Sequence, residues 1–432
     1  MSTDAWRRTA RIMRRAAFGV RGADVDRVGG SVDSWVADAL KDGPDAAADA
    51  TPPPSFPTLP PLAPNASQDE RQARNRALTD QGTTLVTWWV RRMLTTTRPV
   101  RERITFGWHN HWATSLMKVR QAPLMLQQNQ LLRTRGFGSF TDLAQRMVLD
   151  PALLIWLDAE KNTKAAPNEN LARELMELFT VGVDGGYSED DVKQAARALT
   201  GWRVAPDGTV TNDPKRTDPG PETILGTTAR FTPATLVDTL LAAPVHPRHL
   251  ATRWWHQLAS DDPVPEDALA RLVAAYGPAR DVTALLAAVL LDPAFAGAAG
   301  TLVASPVDWL VGSMRTLAVP VTDASVQEAV GVLRRLGQVP FLPPNVSGWP
   351  SGASWSSTAA ASTRAAVATR LSTVGDVSAV ADAPATSRTD AVAHLLALDG
   401  FSERTLAALA LAKGDPKRLV ATALISPDYL VV

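Results

Sequence analysis

Apolar residues recur every three or four positions along most of the chain, which is the period of a helix with one buried face. Strand-like alternation is confined to one short region. With Glu169 at the origin and about 100° per residue, Arg173, Glu177, Asn170 and Glu174 share one polar sector. Leu171, Leu175, Met176, Leu178 and Phe179 fall opposite, so the segment predicts an amphipathic helix. Ser67-x-x-Glu70 and Ser188-x-x-Asp191 are capping-box patterns. The first opens a helix running to about Leu94, where Thr95-Thr96-Thr97-Arg98-Pro99 breaks the pattern before another begins near Val100. The second opens a helix ending at Gly201. Between Trp202 and about Phe231 the helical period vanishes, and Arg203-Val204 and Thr209-Val210-Thr211 flank a Pro206-Asp207-Gly208 turn, which predicts a small hairpin. Ala- and Leu-rich helices return from Thr232. They are interrupted from Phe341 to Trp355 by a Pro- and Gly-bearing stretch that reads as an ordered loop.

These patterns predict a mainly α, multi-helix globular fold with a β-hairpin insertion near 202–231. A basic helical part (1–50) leads into a Pro-rich excursion (51–66), where seven prolines between Thr51 and Pro64 preclude regular helix. A helical lobe (67–201) follows, then the insertion, then a second helical lobe (232–432) containing the 341–355 loop. An apolar helix runs into a Pro-containing stop at Asp150-Pro151, Asp292-Pro293 and Ser426-Pro427, through ordinary capping or as a trace of duplicated helical units.

Composition narrows the chemistry. The 432 residues carry 44 Lys+Arg against 44 Asp+Glu, and this balance lacks the strongly basic character of a nucleic-acid-binding domain. The absence of cysteine excludes disulfides, iron–sulfur clusters and thiol nucleophiles, and confines any divalent metal to His, carboxylate or carbonyl ligands. No uninterrupted apolar run reaches the ~18 residues of a membrane span. No nucleotide-binding loop, haem motif or G-x-S-x-G elbow occurs. Arg7, Arg8, Arg11, Arg14 and Arg15 make the first helix basic, either as a solvated surface or as an anion- or partner-binding cluster. The charged, glycine-broken stretch after Arg14-Arg15 is no signal-peptide core. The expected location is therefore cytoplasmic, with export only alongside a signal-bearing partner.

Three segments hold the candidate chemistry. In Trp108-His109-Asn110-His111-Trp112 the two histidines could share a metal on a strand or kinked loop, but on a helix residues i and i+2 point about 200° apart. On the 168–179 helix, Glu169, Glu174 and Glu177 with Arg173 form either a solvated salt-bridge face or an acid–base set in which Arg173 depresses a neighbouring pKa. In the 341–355 loop, Asn345 and Trp349 accompany aromatics that either stack on a sugar ring or fill the core. His249 and His256 fall seven apart on another predicted helix, a spacing that suits ligands or one packed stripe equally.

Taken in order, Arg14-Arg15-Ala16-Ala17-Phe18-Gly19, the Trp108–Trp112 cluster, Asn168-Glu169-Asn170 through Phe179, Asp190-Asp191-Val192 to Gly201-Trp202, and Pro343-Pro344-Asn345-Val346-Ser347-Gly348-Trp349-Pro350 resemble the bacterial family catalogued as domain of unknown function 1800. The resemblance covers nearly the whole chain and implies a single family-length, predominantly helical domain of no established activity. It further implies a co-encoded, phosphatase- or sulfatase-like partner. The chain departs from the family at Thr217, where a His is common, and at Glu222, where a Lys is common.

The expected function is hydrolase-like. A cleft would use Glu169 or Glu174 as acid or base, with Glu177 beside them, Arg173 as charge partner and His109 or His111 as second catalytic group or metal ligand. Trp108, Trp112, Asn168, Asn170, Trp202, Asn345 and Trp349 would contact a glycan-like or other polymer. The alternative is a non-catalytic helical adaptor for the co-encoded partner. The geometric criterion is a Glu169 or Glu174 carboxylate within reach of a histidine in a concave pocket.

Overall fold

The helices begin where the chain supplies side-chain acceptors for orphan backbone donors. Ser67 Oγ accepts from Glu70 N–H while the Glu70 carboxylate accepts from Ser67 N–H, and this reciprocal pair opens the helix Gln68–Thr95. Ser188 and Asp191 do the same for Glu189–Ala198. Asp150 caps Leu153 N–H ahead of Pro151, the ordinary-capping reading of that stop. The structure is a computed structural model and describes residues 3–297 and 302–431. Those residues are mainly α-helical, with two small antiparallel sheets. The 202–231 insertion is a pair of hairpins. β1 (Trp202–Val204) pairs with β2 (Val210–Asn212), with Arg203 opposite Thr211, and β3 (Glu222–Ile224) pairs with β4 (Thr227–Ala229). The second turn, Leu225-Gly226, has φ of 47° and 76°, two consecutive positive values that suit a two-residue hairpin turn.

The central helix Pro99–His111 lies between two hydrophobic cores. Val100, Ile104 and Trp108, with Trp112 just past the helix end, belong to the first core. They join apolar residues of the N-terminal helix Asp4–Ala16, the motif helix beginning at Asn170, and the helices His246–Leu258, Glu266–Tyr276 and Val282–Leu291. Phe106, on the opposite side of the central helix, belongs to the second core. That core takes in Leu85–Leu94 and the helices Pro306–Thr316, Asp323–Leu336, Thr358–Val374 and Pro416–Leu424. Core membership therefore crosses the sequence divisions, because 85–94 packs with the C-terminal helices while 236–295 packs with the motif helix.

The Pro-rich excursion is extended and tied to the helix behind it. Gln81 Nε2 donates to Pro57 O at 2.9 Å, Arg71 to Pro64 O at 3.2 Å, and Arg74 to Pro60 O. The 341–355 loop is pinned to the central helix. Phe341 N–H donates to His109 Nε2 at 3.1 Å and Trp349 N–H to Asn110 Oδ1 at 2.8 Å. Gly348 has φ +88°, and a Cβ there would lie 2.2 Å from Asn110 Oδ1, so glycine is required for this approach.

Candidate functional site

The motif helix changes register midway. It is α-helical over Asn170–Glu174 and π-helical over Leu175–Thr180, with both Val181 and Gly182 N–H donating to Met176 O. The wider turn leaves the last carbonyls without intrahelical partners, and histidines supply the donors. His249 Nε2 meets Leu178 O at 3.0 Å, His111 Nε2 meets Phe179 O at 3.1 Å, and His246 Nδ1 meets Thr180 O at 2.8 Å. Because a carbonyl only accepts, each of those nitrogens carries its proton. His246 Nε2 then accepts from Tyr276 OH at 2.8 Å. His109 accepts at Nε2 from Phe341 N–H among Trp89, Phe341 and Trp349. Burial pushes His109 down to about 3 and His246 to about 4, and lowers His111 and His249 as well, so all four are neutral at pH 7.

The shared-metal expectation for His109 and His111 is not met. On the helix the two rings diverge into different cores and each bonds a different backbone group. Among the described residues no three His, Asp or Glu side chains converge as a metal-holding group. The expected acid–base cleft is not formed either. Arg173 donates to Glu169 (2.9 Å), Glu177 (3.3 Å) and Glu189 (2.8 Å) on a partly exposed face, and Glu189, then Glu177 and Glu169, raise its pKa. Glu174 is half-buried, and burial followed by Glu177 raises its carboxyl above the usual range. The histidines lie on the buried side of the same helix, bonded to backbone groups and to Tyr276. The helix therefore separates the two sets that the cleft needed together. Individual i,i+4 pairs of this exposure contribute about 0.2–0.5 kcal/mol.

The expected polymer-contacting residues scatter. Trp108 and Trp112 are fully buried, and Trp108 Nε1 donates to Gly136 O at 2.6 Å. Asn168 Oδ1 accepts from Asn170 N–H at 3.0 Å in a local turn. Trp202 sits half-buried in β1. Asn345 Oδ1 accepts from Ser347 N–H at 2.9 Å in another turn. At the two positions where the resemblance implied His and Lys, Thr217 Oγ1 shares its proton between Asn212 Oδ1 and Asp213 O, and buried Glu222 accepts from Phe231 N–H.

The residues that do converge are arginines. A cavity of about 160 Å³ is lined by Arg14, Arg15, Arg103 and Arg253, with His256, Asn110, Asp308, Trp349 and Trp355 around them. That volume is well above the ~10–15 Å³ that admits one water. Arg15 is 2% exposed, and its Nε and both terminal nitrogens have no hydrogen-bond partner among the described residues. Burial, then Arg11, Arg14 and Arg103, hold its pKa well below the usual arginine value. Arg253 Nε and Trp349 Nε1 are likewise buried and unpartnered among the described residues. Arg103 pairs with Asp308 at 2.8 Å and donates to Gln257 O. Arg14 donates to Tyr429 O and lies over the Tyr429 ring, and burial lowers its pKa to about 10. His256 Nδ1 donates to Ser260 O at 2.8 Å, so the spacing from His249 to His256 joins no common ligand.

Arg14 and Arg15 were legible as a basic pair on the first helix. Arg103 and Arg253 carried no sequence signal, because nothing in their spacing relates them to residues ~90 and ~240 positions earlier.

The profile of a family described as "Protein of unknown function (DUF1800)" matches residues 11–431. No curated protein and no solved structure matches the chain.

Proposed function

The chain belongs to the DUF1800 family, whose description carries no activity, and we propose from its own geometry that it is an anion-binding protein with the arginine-lined cavity as recognition site. One observation carries this reading. Arg15 holds five N–H donors at 2% exposure with no acceptor among the described residues. An isolated buried charge costs several kcal/mol, and folded proteins almost always pair such a group. Here the missing partner faces a cavity shared with three further arginines, and one carboxylate, Asp308, is among the lining residues. An anion in that space would accept from Arg15 and Arg253 at once and relieve their mutual repulsion.

The two motifs flanking the cavity fit the same reading. Arg14 and Arg15 come from the N-terminal motif. Trp349 comes from the loop that Asn110 of the central motif holds in place.

Isothermal titration calorimetry in a buffer free of oxyanions tests the proposal, with inorganic phosphate and sulfate as probes. Saturable binding with one site per chain is expected, lost in Arg15→Met. If neither anion binds at millimolar concentration, the proposal fails.

A further inference from the structure

Resting on the cavity as an anion site, we infer that its ligand is a tetrahedral oxyanion with two negative charges, a phosphoryl group either free or carried by an organic alcohol. The charge count leads there. Arg14, Arg15, Arg103 and Arg253 line the space, and Asp308 compensates one of them by pairing with Arg103. Arg14 has a carbonyl and an aromatic ring against it, and the one carboxylate that acts on it, Asp399, is already paired with Arg7 at 2.9 Å. Three positive charges therefore remain in a partly dehydrated volume. A carboxylate or other monoanion would leave two of them uncompensated, whereas a dianion leaves one.

The hydrogen-bonding inventory agrees. Several acceptors around the cavity are engaged: Asn110 Oδ1 by Trp349 N–H, Gln338 Oε1 by Val307 N–H and Asp308 Oδ2 by Ser305, while Asp308 Oδ1 lies in the ion pair with Arg103. Among the described residues the buried lining atoms without a hydrogen bond are mostly donors, on Arg15, Arg253 and Trp349, against one acceptor, Asp308 Oδ1. Because donors outnumber acceptors there, the form of the ligand with the most acceptor oxygens, the fully deprotonated one, is favoured. The unused donors sit on three separate elements, the N-terminal helix, the helix His246–Leu258 and the 341–355 loop. Donors arriving from several sides match a tetrahedral acceptor better than a planar carboxylate.

The test is calorimetry on the full chain with five probes: inorganic phosphate, glycerol 3-phosphate, sulfate, nitrate and acetate. Tetrahedral dianions are expected to bind at least roughly tenfold tighter than nitrate or acetate. A phosphate monoester loses its second proton near pH 6, so its affinity relative to sulfate should rise about tenfold between pH 5 and pH 7. His256 and Asp308 face the same arginines, so sulfate, a dianion throughout this range, is measured at each pH as the reference. Inorganic phosphate exceeding the ester identifies a free anion, and the reverse identifies an organic carrier.

Arg253→Met should weaken dianion binding by roughly tenfold or more. Arg248→Met, on the same helix but exposed and paired with Glu266, should leave it unchanged. Acetate or nitrate binding as tightly as phosphate, or a flat ester-to-sulfate ratio, would overturn the dianion inference and leave the cavity an anion site. Failure of all five probes would overturn both.

Discussion

Replacing Arg15 by methionine should make the protein more stable and leave it unable to bind the anion. The side chain is 2% exposed and its three nitrogens lack hydrogen-bond partners among the described residues, so the unliganded fold bears the desolvation of a charge that only Asp308, already paired with Arg103, offsets. Arg11, Arg14 and Arg103 add repulsion. Methionine is of similar length, apolar and adaptable, and it would remain beside the Ile12, Met13 and Ala16 surface of the first core. Exchanging a buried charge for an apolar side chain of similar volume commonly stabilises by about 1–4 kcal/mol. The wild type should recover a comparable amount when liganded, about 2.7 kcal/mol at a hundredfold excess of anion over Kd. Urea unfolding with and without phosphate reads both terms. The variant should have the higher midpoint without phosphate and no response to it, while the wild-type midpoint climbs. A variant destabilised by about 2 kcal/mol or more in anion-free buffer would refute the reasoning, because it would mean that Arg15 has a structural partner.

Three further outcomes are expected. His246→Ala removes the donor to Thr180 O and the acceptor for Tyr276 OH in a fully buried site, and should cost about 3–5 kcal/mol in urea unfolding. Glu169→Gln, on the Arg173 salt-bridge face, should change stability by less than about 1 kcal/mol and leave phosphate binding intact in calorimetry. Stability should fall on acidification. His109, His111, His246 and His249 are depressed in the fold, so the unfolded chain binds more protons below about pH 6.5. Each group then removes about 1.4 kcal/mol per pH unit until its own folded value, about 3 for His109 and about 4 for His246, is reached. Asp150, raised to about 7 by burial, acts in the opposite direction between about pH 4 and 7, and as a single group it only blunts the trend. Midpoints measured from pH 7 to pH 4 that stay flat or rise would contradict the four neutral histidines.

Much of the architecture was legible because its causes are local. Ser67–Glu70 and Ser188–Asp191 name their own helix starts, Pro206-Asp207-Gly208 names its turn, and the apolar stripe of Leu171, Leu175, Met176 and Phe179 names its buried face. Local period also dictated that His109 and His111 diverge, since a helix allows them no common point. The sequence could not fix what those histidines touch. Their partners, Phe341 N–H and Phe179 O, are 232 and 68 residues away, and the π-turn that exposes Leu178, Phe179 and Thr180 carbonyls breaks the period from which the helix was read.

The arginine cavity marks the boundary most sharply. Local sequence gave the first helix its basic pair and could say no more, because an arginine on a helix is ordinarily a solvated charge. Only the packing of that helix against the central helix, His246–Leu258 and the Trp349 loop buries Arg15, gathers Arg103 and Arg253 around it, and leaves it no hydrogen-bond partner among the described residues. Capping and amphipathic period act over three or four residues and can be read along the chain. Desolvation depends on what surrounds a group from all sides, and that is decided only when distant segments meet.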